Sequence, residues 1–124
     1  MNDRVSWTRR AIGLAGLGVL LLPSAARAHA IIVASEPAEG AVVPPGPVEV
    51  TLRYNSRLDR ARSQVLLIGA DGAERPLELG EGAPAVLVAH TPPLAPGAWR
   101  LRWQVLALDG HITRGDIRFT VAAR

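Results

Sequence analysis

Residues 48–54 alternate in character: Val48, Val50, Leu52 and Tyr54 are separated by Glu49, Thr51 and Arg53. Successive side chains of an extended chain point to opposite faces, so this spacing predicts a strand with one face in a core and the other in water. Trp99, Leu101, Trp103 and Val105 repeat the pattern against Arg100, Arg102 and Gln104, and Ile117, Phe119 and Val121 repeat it against Asp116, Arg118 and Thr120. Shorter strands are expected over 30–34, 64–68, 77–79 and 85–89. They are separated by the turn-forming sequences Pro44-Pro45-Gly46-Pro47, Asp71-Gly72, Gly80-Glu81-Gly82 and Pro96-Gly97. Beyond residue 28 no window keeps a helical period for three turns. The expectation is an all-β fold, a seven-stranded antiparallel β-sandwich of Greek-key type.

The first 28 residues break this pattern and read as a targeting segment. Arg4, Arg9 and Arg10 form a basic start, residues 11–22 are uncharged, and Ala26-Arg27-Ala28 is a small-x-small site of the kind a signal peptidase cuts. Twelve uncharged residues fall short of the roughly twenty that span a bilayer. Export through the general secretory route is expected, with Thr8-Arg9-Arg10 a hint of the twin-arginine route. The mature protein then runs from 29 to 124 as a single unanchored domain outside the cytoplasm.

Processing changes the charge. The whole chain carries 14 basic and 11 acidic residues, and loss of Arg4, Arg9, Arg10, Arg27 and Asp3 leaves ten of each. The basicity therefore belongs to export and not to a nucleic-acid footprint. The chain has no cysteine, so an exported domain of this size must hold together by packing, and it offers no thiolate to a metal.

Cleavage after Ala28 would also make His29 the first residue. A terminal histidine has both a free α-amine and an imidazole, which close on one ion as a chelate that no internal residue can form. Of the other histidines, His111 lies in Asp109-Gly110-His111, in a loop between two expected strands, where glycine permits a tight turn and lets carboxylate and imidazole face one point. Asp-Gly followed by an exposed histidine is also what an ordinary surface turn looks like. Taken together, one amine, two imidazoles and one carboxylate make a nitrogen-rich set that suits Cu(II) in tetragonal geometry, whereas zinc would use the same atoms in a tetrahedron. His90 ends a strand without partner spacing and is read as a surface residue. Trp99 and Trp103 are read as core, and Arg57, Arg60 and Arg62 as a solvated loop.

The ordered set of His29-Ala30, Ser35-Glu36-Pro37-Ala38-Glu39-Gly40, residues 48–54, Gly97-Ala98-Trp99-Arg100-Leu101-Arg102-Trp103, Asp109-Gly110-His111 and residues 115–121 resembles the periplasmic copper-resistance proteins of the CopC type. The resemblance implies a cupredoxin-like or immunoglobulin-like sandwich in the periplasm and a role in copper resistance. It also implies a monomer that works beside an inner-membrane CopD-type transporter. It implies one Cu(II) held by the amine and imidazole of His29, the imidazole of His111 and the carboxylate of Asp109, with no catalytic residue.

Two departures narrow the expectation. Some members carry a methionine-rich loop for Cu(I), but the only methionine here is Met1; some place a glutamate shortly after the aromatic that ends the second strand, where this chain has Tyr54-Asn55-Ser56-Arg57. Two other classes remain open from the residues alone. One is a copper-brace oxidase or oxygenase, which also uses a terminal histidine; a carboxylate on the metal and the lack of an array of aromatics for a polysaccharide argue against it. The other is a metal-free sandwich used for adhesion or assembly.

Overall fold

Eight strands form over residues 30–124, the part of the chain described by this computed structural model. They are β1 (Ile32–Glu36), β2 (Ala41–Val43), β3 (Glu49–Tyr54), β4 (Gln64–Ile68), β5 (Glu74–Pro76), β6 (Val86–His90), β7 (Gly97–Leu106) and β8 (Ile112–Val121). A three-stranded sheet in the order β1-β3-β6 faces a five-stranded sheet in the order β2-β8-β7-β4-β5. The apolar sets of the alternating segments meet between them: Val50, Leu52 and Leu87 from one sheet, Val65, Leu101, Val105, Phe119 and Val121 from the other, all almost wholly buried. The β-sandwich expected from the sequence is the fold.

The strands number eight where seven were expected, because β2 and β5 are added and 77–79 is lost; three of the differences have a clear local reason. Segment 77–79 is not a strand. The Leu77 N–H donates to the Val65 carbonyl at 2.9 Å in one sheet while Leu79 bridges Ala89 in the other, so the segment crosses between sheets and runs a ladder with neither. Strand β2, too short to show a period, pairs in parallel with β8 through Ala41↔Phe119, Val42↔Thr120 and Val43↔Val121, the only parallel ladder among the described strands. It stops at Pro44-Pro45, which have no N–H to donate.

The third difference matters most. β8 begins at Ile112, four residues before the expected start, and pairs with β7 over ten residues without interruption. The inward positions added are Thr113, opposite Val105, and Gly115, opposite Trp103. Neither is an apolar side chain, which is why the pattern stopped short of them. Gly115 is required because the Trp103 indole occupies the space of a side chain: a Cβ there would lie 2.5 Å from its Cζ2 atom. The Tyr54 and Trp103 rings meet edge to face with centroids 5.3 Å apart, which joins the two sheets at this end of the core.

Arg60 and Tyr54 each carry a buried polar atom. Arg60, expected in a solvated loop, is half-buried, and one terminal nitrogen donates to the carbonyls of Gly82, Ala83 and Val86 at 3.0, 3.0 and 3.2 Å, pinning the loop that enters β6. Arg57 and Arg62 are exposed as expected. Tyr54 Oη is buried without a hydrogen-bond partner, and burial pushes its phenol above the ordinary value of 10.0. A phenol kept neutral only in the folded state weakens the fold as pH rises past about 10, because the unfolded chain then ionises freely. Removing an unpaired hydroxyl removes a desolvation cost, so Tyr54→Phe is expected to hold or raise stability by up to about 1 kcal/mol at neutral pH, and by more in alkali. Urea unfolding at pH 7 and pH 10.5 checks this; a loss of stability in the variant would show that the hydroxyl is bonded.

Candidate metal centre

The β7–β8 hairpin turns through Ala107-Leu108-Asp109-Gly110, closed by the Gly110 N–H donating to the Ala107 carbonyl at 2.9 Å. Gly110 then takes φ +96°, a conformation that favours glycine, and the Ala107 N–H reaches the His111 carbonyl at 2.9 Å to restart the ladder. The loop is braced from the side. The Leu108 N–H donates to the Arg57 carbonyl at 3.1 Å and the Asp59 N–H to the Leu106 carbonyl at 2.8 Å.

This backbone brings Asp109 and His111 onto one point. Asp109 Oδ1 accepts the His111 N–H at 3.0 Å and lies 3.2 Å from His111 Nδ1. A carboxylate at one ring nitrogen orients the imidazole, the arrangement seen beside metal-bound histidines. Both side chains are about half exposed, at 48% for His111 and 42% for Asp109, so an ion can reach them from solvent. Among the described residues no group of three or more His, Cys, Asp or Glu is gathered for a metal. The loop thus offers one nitrogen and one oxygen donor, which suit a borderline ion such as Cu(II) but need further donors from outside residues 30–124.

His29 and the cleavage site before it lie outside the described residues. The residue that follows His29 is placed, and it is tied down beside the loop. Ala30 is buried at 1% exposure, its carbonyl accepts the Thr113 hydroxyl at 2.9 Å, and Thr113 is two residues beyond His111. The next residue, Ile31, donates its N–H to Asn55 Oδ1 at 2.7 Å and accepts the Asn55 N–H at 3.0 Å. Thr113 and Asn55 were missed in the sequence because neither belongs to a motif or an apolar period; only their partners give them a role.

The other sequence candidates fall elsewhere. His90 is exposed, as expected, at the end of β6 opposite Glu49, with Nε2 3.4 Å from Glu49 Oε2, at the far end of β3 from Asn55. Trp103 is in the core, and Trp99 packs against its edge with Nε1 donating to the Ala95 carbonyl at 2.9 Å. A cleft of about 580 Å³ lies beside Trp99, Arg100 and Arg118, at the opposite end of β7 from the Asp109-Gly110-His111 loop. A small ion bound through exposed loop side chains needs no such cavity. No helix among the described residues is long and apolar enough to cross a membrane.

Comparison with known proteins identifies the family. The family model described as the CopC domain matches residues 32–122. Copper resistance protein C of Xanthomonas campestris pv. juglandis is 28% identical over 110 residues, covering 82% of this chain and 86% of that protein. Among solved structures, CopC from Methylosinus trichosporium OB3b superposes with a TM-score of 0.68 at 28% identity, over 76% of this chain and 94% of that one. PcoC, a methionine-rich copper resistance protein from Escherichia coli, follows at 0.60 and 25%, over 75% of this chain and 98% of that one. With a match running from the first residue of β1 to the residue after β8, this chain belongs to the CopC family.

Proposed function

We propose that the chain, processed to begin at His29, is a periplasmic copper-resistance protein that holds one Cu(II) as cargo. The ligands are the α-amine and imidazole of His29, the imidazole of His111 and the carboxylate of Asp109. The observation that carries this reading is the Asp109–His111 pair, turned together by Gly110 and open to solvent at 3.2 Å, in a chain similar to a copper resistance protein C. Those two donors are one imidazole and one carboxylate, and a terminal histidine would add two nitrogens to reach the four in-plane positions that Cu(II) prefers.

The same donor set argues for a carrier over an enzyme. A carboxylate on copper favours the oxidised ion and fills a position that oxygen chemistry would need. Unlike the methionine-rich PcoC, this chain has no methionine after Met1 and no cysteine, so it has no soft site for Cu(I). Delivery to or from an inner-membrane CopD-type partner, by a monomer, completes the reading.

Titration of the exported, mature protein followed by electron paramagnetic resonance is expected to saturate at one Cu(II), with nitrogen couplings in a tetragonal spectrum. Nitrogen donors bind only when deprotonated, so affinity should fall as pH is lowered through and below neutrality, with protons released on loading. Zero stoichiometry, or a spectrum without nitrogen couplings, would overturn the proposal. Sustained oxygen consumption by the loaded protein under ascorbate would favour the oxygenase reading instead.

A further inference from the structure

The entering chain is gripped from both sheets just before β1. Thr113 is an inward position of β8 in the five-stranded sheet, and its hydroxyl donates to the Ala30 carbonyl at 2.9 Å. Asn55 follows the last residue of β3 in the three-stranded sheet, and it holds Ile31 by two hydrogen bonds, at 2.7 Å to the N–H and 3.0 Å from the carbonyl. The Ala30 side chain is buried as part of the core. In a chain processed to begin at His29, three hydrogen bonds and one buried side chain on the next two residues tie down an end that would ordinarily fray. Their effect is to hold the backbone at Ala30 and Ile31 against β8, the strand that opens directly after His111.

We infer that Thr113 and Asn55 are positioning residues for the metal centre. They fix the backbone on which the amine and imidazole of His29 are carried, so that those nitrogens and the Asp109–His111 pair are preorganised around one point. This inference rests on the proposed role of His29 as a ligand. A chelating residue on a loose end would have to be ordered at the moment of binding, and the lost freedom would be subtracted from the affinity. Groups that orient ligands without touching the metal are commonly worth about 10–100-fold in metal affinity.

The test uses mature protein recovered from export of the full chain, with its mass checked, and compares Thr113→Val, Thr113→Ser and Asn55→Ala with the parent. Thr113→Val keeps the shape and the β-branch but cannot donate to the Ala30 carbonyl; Thr113→Ser can. The expected results for Thr113→Val and Asn55→Ala are a Cu(II) affinity about 10–100-fold weaker by chelator competition, and a broadened or second set of copper hyperfine lines. The far-UV circular dichroism of the metal-free proteins should stay that of the parent. Thr113→Ser should restore both the affinity and the single spectrum, which loss of stability alone would not explain. If the parent binds one Cu(II) with nitrogen couplings and Thr113→Val and Asn55→Ala match it in affinity and spectrum, the positioning role is wrong while the copper site stands. If the parent itself shows no nitrogen-coupled Cu(II), both fall together. Should Thr113→Val not fold, Asn55→Ala and Thr113→Ser decide the question by the same two readouts.

Discussion

A single residue placed ahead of His29 is expected to abolish most of the Cu(II) affinity while leaving the sandwich folded. The extension turns the α-amine into an amide, removing one strong donor and the chelate ring closed with the His29 imidazole. That is a ligand lost, not a ligand loosened, so the loss should exceed the 10–100-fold that follows removal of an outer partner. At least 100-fold corresponds to about 2.7 kcal/mol or more. The fold should not notice, because the described hydrogen bonds of this region begin at Ala30 and Ile31, and the added residue lies beyond them. Chelator competition on the extended and native proteins measures the effect, with circular dichroism as the control for folding. Equal affinities would remove the amine from the ligand set, and with it the proposed site.

Gly115→Ala should be the most damaging single methyl in the domain. Its Cβ would sit 2.5 Å from Trp103 Cζ2 and 2.8 Å from Cε2, and the indole cannot simply swing aside, because Tyr54 packs edge to face against it and Trp103 is 6% exposed. Overpacking of this kind costs about 1–3 kcal/mol, which in a domain of under a hundred residues lowers Tm by about 4–8 °C for each kcal/mol. The cause can be separated from any dislike of alanine in the strand. Combined with Trp103→Leu, the same substitution should cost much less than it does alone, a coupling that a double-mutant cycle reads directly. Additive losses would show that the indole is not the obstacle. Because Thr113 and Gly115 are neighbouring inward positions of β8, strain at Gly115 should also reach the Ala30 anchor, and weaker Cu(II) binding is expected to accompany the lower Tm.

How much could be read in advance differs between the core and its edges. Where a strand is half-buried and filled with apolar side chains, as at Val50, Leu52 and Tyr54 or at Leu101, Trp103 and Val105, the period of two is the record of a two-faced environment, and the strands stand where the pattern put them. Where the inward position is not apolar the pattern is silent: Thr113 faces inward to donate a hydrogen bond, and Gly115 faces inward to make room. Strand β2, three residues long, carries no period at all, and segment 77–79 alternates correctly yet pairs with no single strand. Arg60 was misread for a related reason, since a guanidinium that satisfies three backbone carbonyls looks like any other arginine until the loop bearing Gly82, Ala83 and Val86 folds back onto it.

The candidate site divides in the same way. The sequence by itself determined the donor chemistry: the absence of cysteine and of any methionine after Met1, the three histidines, and the Asp109-Gly110-His111 turn, whose geometry is local because Gly110 alone supplies the positive φ that brings the carboxylate to the ring. Only the tertiary structure decided that the residue after His29 lies against β8. The bond from Thr113 to Ala30 joins positions 83 apart in the chain, and Asn55 is 24 residues from Ile31. No local pattern encodes contacts of that range. They arise because two sheets close over one apolar core and bring the start of the chain to the end of a hairpin whose own strands were legible from the first alternation.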